Sequence, residues 1–200
     1  MSDGSQYRYD DVAPNYDAAM RPLDRWFLAS LRRRAIDELP KNAHLLEVGA
    51  GTGINFSFYS SEQKGVAAEP SGGMLLIARS KSRPAGISLV RSCAEQLPFE
   101  RDSFDTALAT LVFCSVASPQ NALSELRRVV KPGGTVVLLE HVRPSGVLGP
   151  VFDLLNFISV PLLDDHINRR TADEARAAGL QIVEVEKRLL GIINLIVCRV

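Results

Sequence analysis

Three glycines alternate at Gly49, Gly51 and Gly53, and the carboxylate of Glu47 stands two residues before the first. The run follows His44-Leu45-Leu46, which reads as a buried strand. A strand that ends in such a loop makes a tight turn where backbone can approach a ligand with no side chain in the way. Backbone N–H groups at the start of a following helix would then face a polar or anionic ligand group. The chemistry this suits is the holding of a nucleotide-like cofactor. Glu69, at the end of the next apolar run, can accept hydrogen bonds from ribose hydroxyls. Two cofactor classes compete. A dinucleotide fingerprint asks for G-x-G-x-x-G with an acid about 20 residues on. The spacing here is G-x-G-x-G with a leading carboxylate, which disfavours a nicotinamide-dependent oxidoreductase. The three histidines and three cysteines, Cys93, Cys114 and Cys198, show no metal-ligand spacing and no C-x-x-C. No metal is expected.

The elements that must position this loop are legible as alternating strands and helices. Strands are expected at His44–Val48, Gly65–Ala68, Ile87–Val90, Phe104–Val112 and Thr135–Val142. Helices are expected from Tyr16 to Leu39, with Leu23, Trp26, Phe27, Leu31 and Ile36 spaced for its apolar face, directly after Gly53, at Met74–Lys81 and at Pro119–Val130. Alternation at this spacing makes a doubly wound, mostly parallel sheet with helices on both faces. Thr171-Ala172-Asp173-Glu174 has the form of a capping box, with Gly179 placed to end the helix. Gln181–Lys187 and Ile192–Val200 are strands too close in sequence for a parallel crossover, so that pair is antiparallel. The count is seven strands in a Rossmann-like α/β sheet.

Two hundred residues with zero formal net charge suit one domain, 1–200, and show no basic stripe for nucleic acid. Arg32-Arg33-Arg34 reads as the solvated face of a helix. Residues 1–14 are polar and are expected to be mobile until a ligand orders them. The N-terminus has no signal-peptide pattern and no apolar run is long enough to span a membrane, so a cytoplasmic protein is expected. Residues 143–163 are very apolar. They read either as a helix completing the core or as an acceptor pocket with weak peripheral membrane contact. Trp26 and Phe27 read as lid or core packing, and Cys114 as a small core residue.

Several segments, in order, resemble one family. Glu47–Gly53 resembles motif I of the class I S-adenosylmethionine-dependent methyltransferases. Tyr9–Asp17 is similar to their N-terminal lid signature, and Glu69-Pro70-Ser71-Gly72-Gly73-Met74 to their second motif. Ala94-Glu95-Gln96-Leu97-Pro98-Phe99 with Ser103-Phe104-Asp105, and Leu126–Gly134, resemble the turns that enter strands 4 and 5. Thr110–Val116, Glu140-His141-Val142 and Asn168-Arg169-Arg170-Thr171 are similar to thiol methyltransferases. Phospholipid N-methyltransferases and ubiquinone/menaquinone C-methyltransferases share the layout.

The resemblance implies S-adenosyl-L-methionine as cofactor and S-adenosyl-L-homocysteine as product. Gly49, Ala50, Gly51, Thr52 and Gly53 would hold the methionine moiety, Glu69 the ribose, and Met74 the adenine face. Cys93, Ala94 and Glu95 would frame the adenine edge, although many relatives carry Asp where this chain has Cys93. Leu111 would touch the methionine part, and Glu47 and Pro70 complete the implied set. Tyr16 would close the lid that residues 1–40 form. His141, after strand 5, is the first candidate base, with a loop-bonding histidine as its alternative reading. His166, beside Asp165 in the acceptor-side segment 143–170, is the second, against a role in helix entry. The acceptor would be small or lipophilic: a thiol or other small nucleophile first, then a quinone-type carbon or phenol, then a phospholipid amine. A methyltransferase fold serving as a non-catalytic cofactor-binding module is the alternative outside enzymology.

Overall fold

A computed structural model of the chain describes residues 4–142 and 169–200. Seven strands form one sheet: β1 His44–Val48, β2 Lys64–Ala68, β3 Gly86–Val90, β4 Phe104–Thr110, β5 Val130–His141, β6 Gln181–Arg188 and β7 Ile193–Arg199. Their order is β3-β2-β1-β4-β5-β7-β6. The first five run parallel, and β7 lies antiparallel to both β5 and β6. The mostly parallel sheet and the antiparallel terminal hairpin are therefore as the turn lengths required. The strand order reverses between β1 and β4, and ligands of open α/β sheets sit at the carboxyl ends of the strands at such a point.

Strand alternation divides the core in two. Leu46, Ala107, Val136 and Leu138 face one side. There they meet Leu123 and Leu126 of α4 (Pro119–Val129) and Ala175 of α5 (Thr171–Ala177). Leu45, Leu108, Val137 and Leu139 face the other side. Their partners are Leu28, Ala35 of α2 (Ala29–Asp37) and Ala78 of α3 (Gly72–Ser80).

The N-terminal region departs from the expectation of a helix starting at Tyr16. α1 already spans Gly4–Leu23, with Pro14 and Pro22 inside it. Directly after Pro22, a residue that removes a helix donor, Asp24–Leu28 forms a widened π turn before α2. A π turn shifts the phase of the residues around it. Of the apolar face expected at Leu23, Trp26, Phe27, Leu31 and Ile36, the first three consequently face outward, with Trp26 74% exposed, while Leu31 and Ile36 pack against the core. Leu28, Arg32 and Ala35 are the buried positions of this stretch. Trp26 and Phe27 are thus not core residues, and Arg32 is not on a solvated face.

Three further local corrections matter for the site. The helix expected after Gly53 is a short 3-10 turn, Ile54–Phe58, which presents no helix N-terminus to an anion. Strand β4 stops at Thr110 rather than Val112, because Leu111 adopts φ +58° and turns the chain. The capping box does not form: Arg170 is the N-cap, and Thr171, the first helical residue, leaves its buried hydroxyl without a partner. Gly179, at φ +85°, does end α5.

Candidate cofactor and acceptor site

The glycine loop leaves β1 between the ends of β2 and β4. Gly49, Gly51 and Gly53 all have left-handed φ, at +67°, +56° and +77°. The need for glycine differs among them. A Cβ on Gly49 would stand 2.4 Å from Cγ2 of Val112. At Gly51 the same atom would meet nothing within 4 Å, so that position opens onto free space. The N–H groups of Gly49 and Ala50 both donate to the carbonyl of Ala68, at 2.8 and 3.1 Å, which ties the loop to β2.

That free space is a cavity of about 630 Å³ over the switch point. Its lining brings together Tyr16, Gly49, Ala50, Gly51, Thr52, Glu69, Pro70, Met74, Cys93, Ala94, Glu95 and Leu111, all named from the sequence. Glu69 is 6% exposed. One of its oxygens accepts from Gly51 N and the other from Ser71 N, each at 2.9 Å. Burial raises its carboxyl above the ordinary value, and those two N–H groups oppose the rise. A carboxylate offers about four acceptor sites, so Glu69 retains capacity for hydroxyls. Glu95 accepts from Ala117 N and Ser118 N, at 3.0 and 3.3 Å, and so braces the segment before α4. Cys93 lines the cavity but brings no carboxylate.

Other expectations did not land in the lining. Glu47 lies beneath the loop, 1% exposed, where Asn55 Nδ2 donates to it at 2.8 Å. Its second oxygen has no hydrogen bond, and neither does the nearby buried Tyr59 hydroxyl. Burial, opposed chiefly by the Asn55 amide, moves the Glu47 carboxyl up to about 7. Gly53 is likewise outside the lining, packed on the Phe56 ring. His141 ends β5 but is not among the lining residues. His166 and the apolar segment 143–163 lie outside the described residues.

Several positions around the cavity were given no individual role from the sequence. Tyr9 and Arg32 line the cavity, and so do Thr110 and Val112. Asp10 accepts from Gly73 N at 2.8 Å and from the Ser71 hydroxyl, which holds its carboxyl below the ordinary value. Asp17 pairs with Lys81 Nζ at 2.6 Å and accepts from the Thr52 hydroxyl. These contacts fasten α1 across the cofactor loop and the ends of α3. Glu140, fully buried, accepts from Val112 N at 3.0 Å and Phe113 N at 3.2 Å. Tyr16 is mostly buried, and desolvation raises its hydroxyl, so it stays a phenol near neutrality.

The fold and the cavity define a doubly wound α/β protein with a cofactor-sized cavity at its switch point. Residues 46–138 match a family model described as a methyltransferase domain. The chain is 32% identical over 186 residues to a phosphatidylethanolamine N-methyltransferase of Cereibacter sphaeroides, covering 84% of this chain and 90% of the relative. It is 34% identical over 140 residues to a demethylmenaquinone methyltransferase of Renibacterium salmoninarum, 68% of this chain but only 58% of that protein's length. A thiol S-methyltransferase of Mus musculus is 36% identical over 153 residues, 72% of this chain and 63% of the relative. Among solved structures, a Haloferax volcanii methyltransferase in complex with the Trm112 methyltransferase activator superposes with a TM-score of 0.78 at 19% identity, covering 96% of both chains. The cyclase SpnF superposes at 0.77 with 17% identity, covering 97% of this chain and 94% of its own. At such identities these two speak for the fold alone. The chain belongs to the S-adenosylmethionine-dependent methyltransferases.

The residues present fit that family's cofactor. The cavity volume is in the range of small-molecule and cofactor sites. Gly51 leaves open space where a side chain would intrude, and Glu69 is a buried acceptor with spare capacity beside it. Met74, 1% exposed, offers an apolar wall.

Proposed function

We propose that the protein transfers the methyl group of S-adenosylmethionine to a small or lipophilic acceptor, with a thiol as the first class. When bound, the sulfonium supplies an already activated methyl group. The chain's own residues orient and exclude water. Glu69 fixes the ribose, the glycine loop and Leu111 support the amino-acid part, and Tyr9 and Tyr16 of α1 cover the cavity. Holding two reactants in line can supply about 7–11 kcal/mol of the barrier.

The observation that supports a thiol as first class is the likeness to a thiol S-methyltransferase, 36% identical over 153 residues, and the described lining carboxylates suit an acceptor that needs little help from a base. Glu69 and Glu95 each already accept two backbone N–H groups. Tyr16 is held as a phenol. A thiol suits such a site, since a few per cent is thiolate at pH 7 and the thiolate is intrinsically nucleophilic. Bringing it against a cationic sulfonium in a water-poor cavity favours a transfer that cancels both charges. A phospholipid amine is the second reading, supported by the nearly full-length match to a phosphatidylethanolamine N-methyltransferase.

The test is a competition assay with isotopically labelled donor against alkyl thiols, quinols and phosphatidylethanolamine vesicles. Label in the thioether first is the expected result. Label confined to the lipid establishes the second reading, and label in the quinol ring replaces both. Tight S-adenosylhomocysteine binding with no transfer to any acceptor makes the protein a cofactor-binding module.

A further inference from the structure

Arg32 is the one cation among the described lining residues of the cavity, and it is 4% exposed. Three neighbours hold its guanidinium. Nε donates to Asp24 Oδ1 at 3.0 Å. Nη1 donates to Asn55 Oδ1 at 3.0 Å and to Thr110 Oγ1 at 2.9 Å. A guanidinium has five N–H donors, so these bonds use three and leave both on Nη2. Among the described residues Nη2 has no hydrogen-bond partner, yet it is not one of the buried unsatisfied atoms. It therefore keeps some accessible surface, and Arg32 is among the residues that line the cavity.

The sheet order says what part of a ligand would arrive there. β1 has β2 on one side and β4 on the other. Glu69 follows β2, and Thr110, which holds Arg32, ends β4. The two charged groups thus flank the glycine loop on opposite sides. A ligand that places ribose hydroxyls on Glu69 and crosses the glycine loop brings its other end to Arg32. In an adenosyl amino acid that end carries a carboxylate, the group whose planar geometry matches a guanidinium fork.

We propose that Arg32 is the carboxylate-binding residue of this cavity, with Nη2 as the donor and the α-carboxylate of the cofactor's amino-acid moiety as its ligand. This rests on the cofactor reading above. Asp24, Asn55 and Thr110 are then positioning residues that fix the fork before the ligand arrives, which spares the side-chain ordering that binding would otherwise require. An acid group on the methyl acceptor is the other source of the same chemistry.

Calorimetry with two ligands separates a binding role from a structural one. S-adenosylhomocysteine carries the carboxylate; 5′-methylthioadenosine keeps the adenosine and sulfur but lacks the amino acid. Arg32→Gln should weaken S-adenosylhomocysteine by about 10- to 100-fold, the range for a lost charge-assisted hydrogen bond. Methylthioadenosine should change by less than about threefold. Arg32→Lys keeps the charge and most of the packing, and guards against a glutamine variant that does not fold. It should show the same selective loss at smaller size. Equal loss for both ligands, or no loss for either with transfer unaltered, overturns the proposal. If S-adenosylhomocysteine binding is unchanged but methyl transfer to mercaptoacetate falls relative to 2-mercaptoethanol, the carboxylate Arg32 reads is the acceptor's. Wild-type protein that binds neither nucleoside refutes the cofactor reading itself, an outcome distinct from either failure of Arg32.

Discussion

Glu47 has one oxygen on Asn55 and the other without a hydrogen bond, in a site almost closed to water. Its carboxyl titrates at about 7 in the folded chain against an ordinary 4.5. Between those two values the folded chain holds a proton that the unfolded chain has released. Stability contributed by this group therefore falls as pH rises across that interval. Glu47→Gln removes the titration, so the melting temperature of the variant should gain on wild type as pH is raised from about 5 to about 8. A constant difference would show that Glu47 is ionised throughout. Glu69→Ala should weaken cofactor binding at least about tenfold, the loss of a hydrogen bond to a charged group, and calorimetry on the folded variant reads this directly. Glu69 was legible because it ends an apolar run about 20 residues after the loop. Arg32 was hidden because its two arginine neighbours made the cluster look like surface, and because its burial depends on a helix phase that the sequence pattern did not show.

The turns at the carboxyl edge of the sheet decide the shape of the site. Gly49 and Gly51 have the same handedness but different surroundings, and the two substitutions should separate accordingly. Gly49→Ala drives a Cβ into Val112 and should lower both stability and cofactor affinity. Gly51→Ala meets no protein atom, so its stability loss should be limited to the about 1–2 kcal/mol of a left-handed non-glycine residue. Its cofactor affinity should still collapse. Chemical denaturation beside calorimetry distinguishes the pair. Across the loop, Glu140 anchors the chain just after the Leu111 kink. Glu140→Ala leaves the N–H groups of Val112 and Phe113 buried and unpaired, at about 1–3 kcal/mol each. Unfolding free energy unchanged within error would exclude this anchoring. Strand identity was readable from apolar runs, whereas these turns depend on contacts between residues far apart in sequence. The kink at Leu111 is held by Glu140, and the 3-10 turn after Gly53 is packed around an Asn55 that Arg32 and Glu47 claim. No local pattern announces either.

At the scale of the molecule, the parallel order and the antiparallel hairpin followed from connection lengths, which obey general rules of chain geometry. The early start of the N-terminal helix did not, because its contacts are with tertiary partners far away in sequence. Asp10 binds the start of α3, while Asp17 joins Lys81, past the end of α3, to Thr52 of the glycine loop. The Asp17–Lys81 pair is partly open to solvent, at 42% and 28% exposure of the two side chains. Surface ion pairs weaken as salt shortens the Debye length from about 30 Å at 0.01 M to about 8 Å at 0.15 M. Since α1 covers the cavity through Tyr9 and Tyr16, ionic strength acts on the dwell time of whatever lies beneath it. In stopped-flow displacement, S-adenosylhomocysteine should leave faster as salt is raised. Asp17→Asn should leave fast already at low salt and lose most of that dependence. A single exposed charge pair thereby makes turnover, when product departure limits it, a function of the surrounding electrolyte.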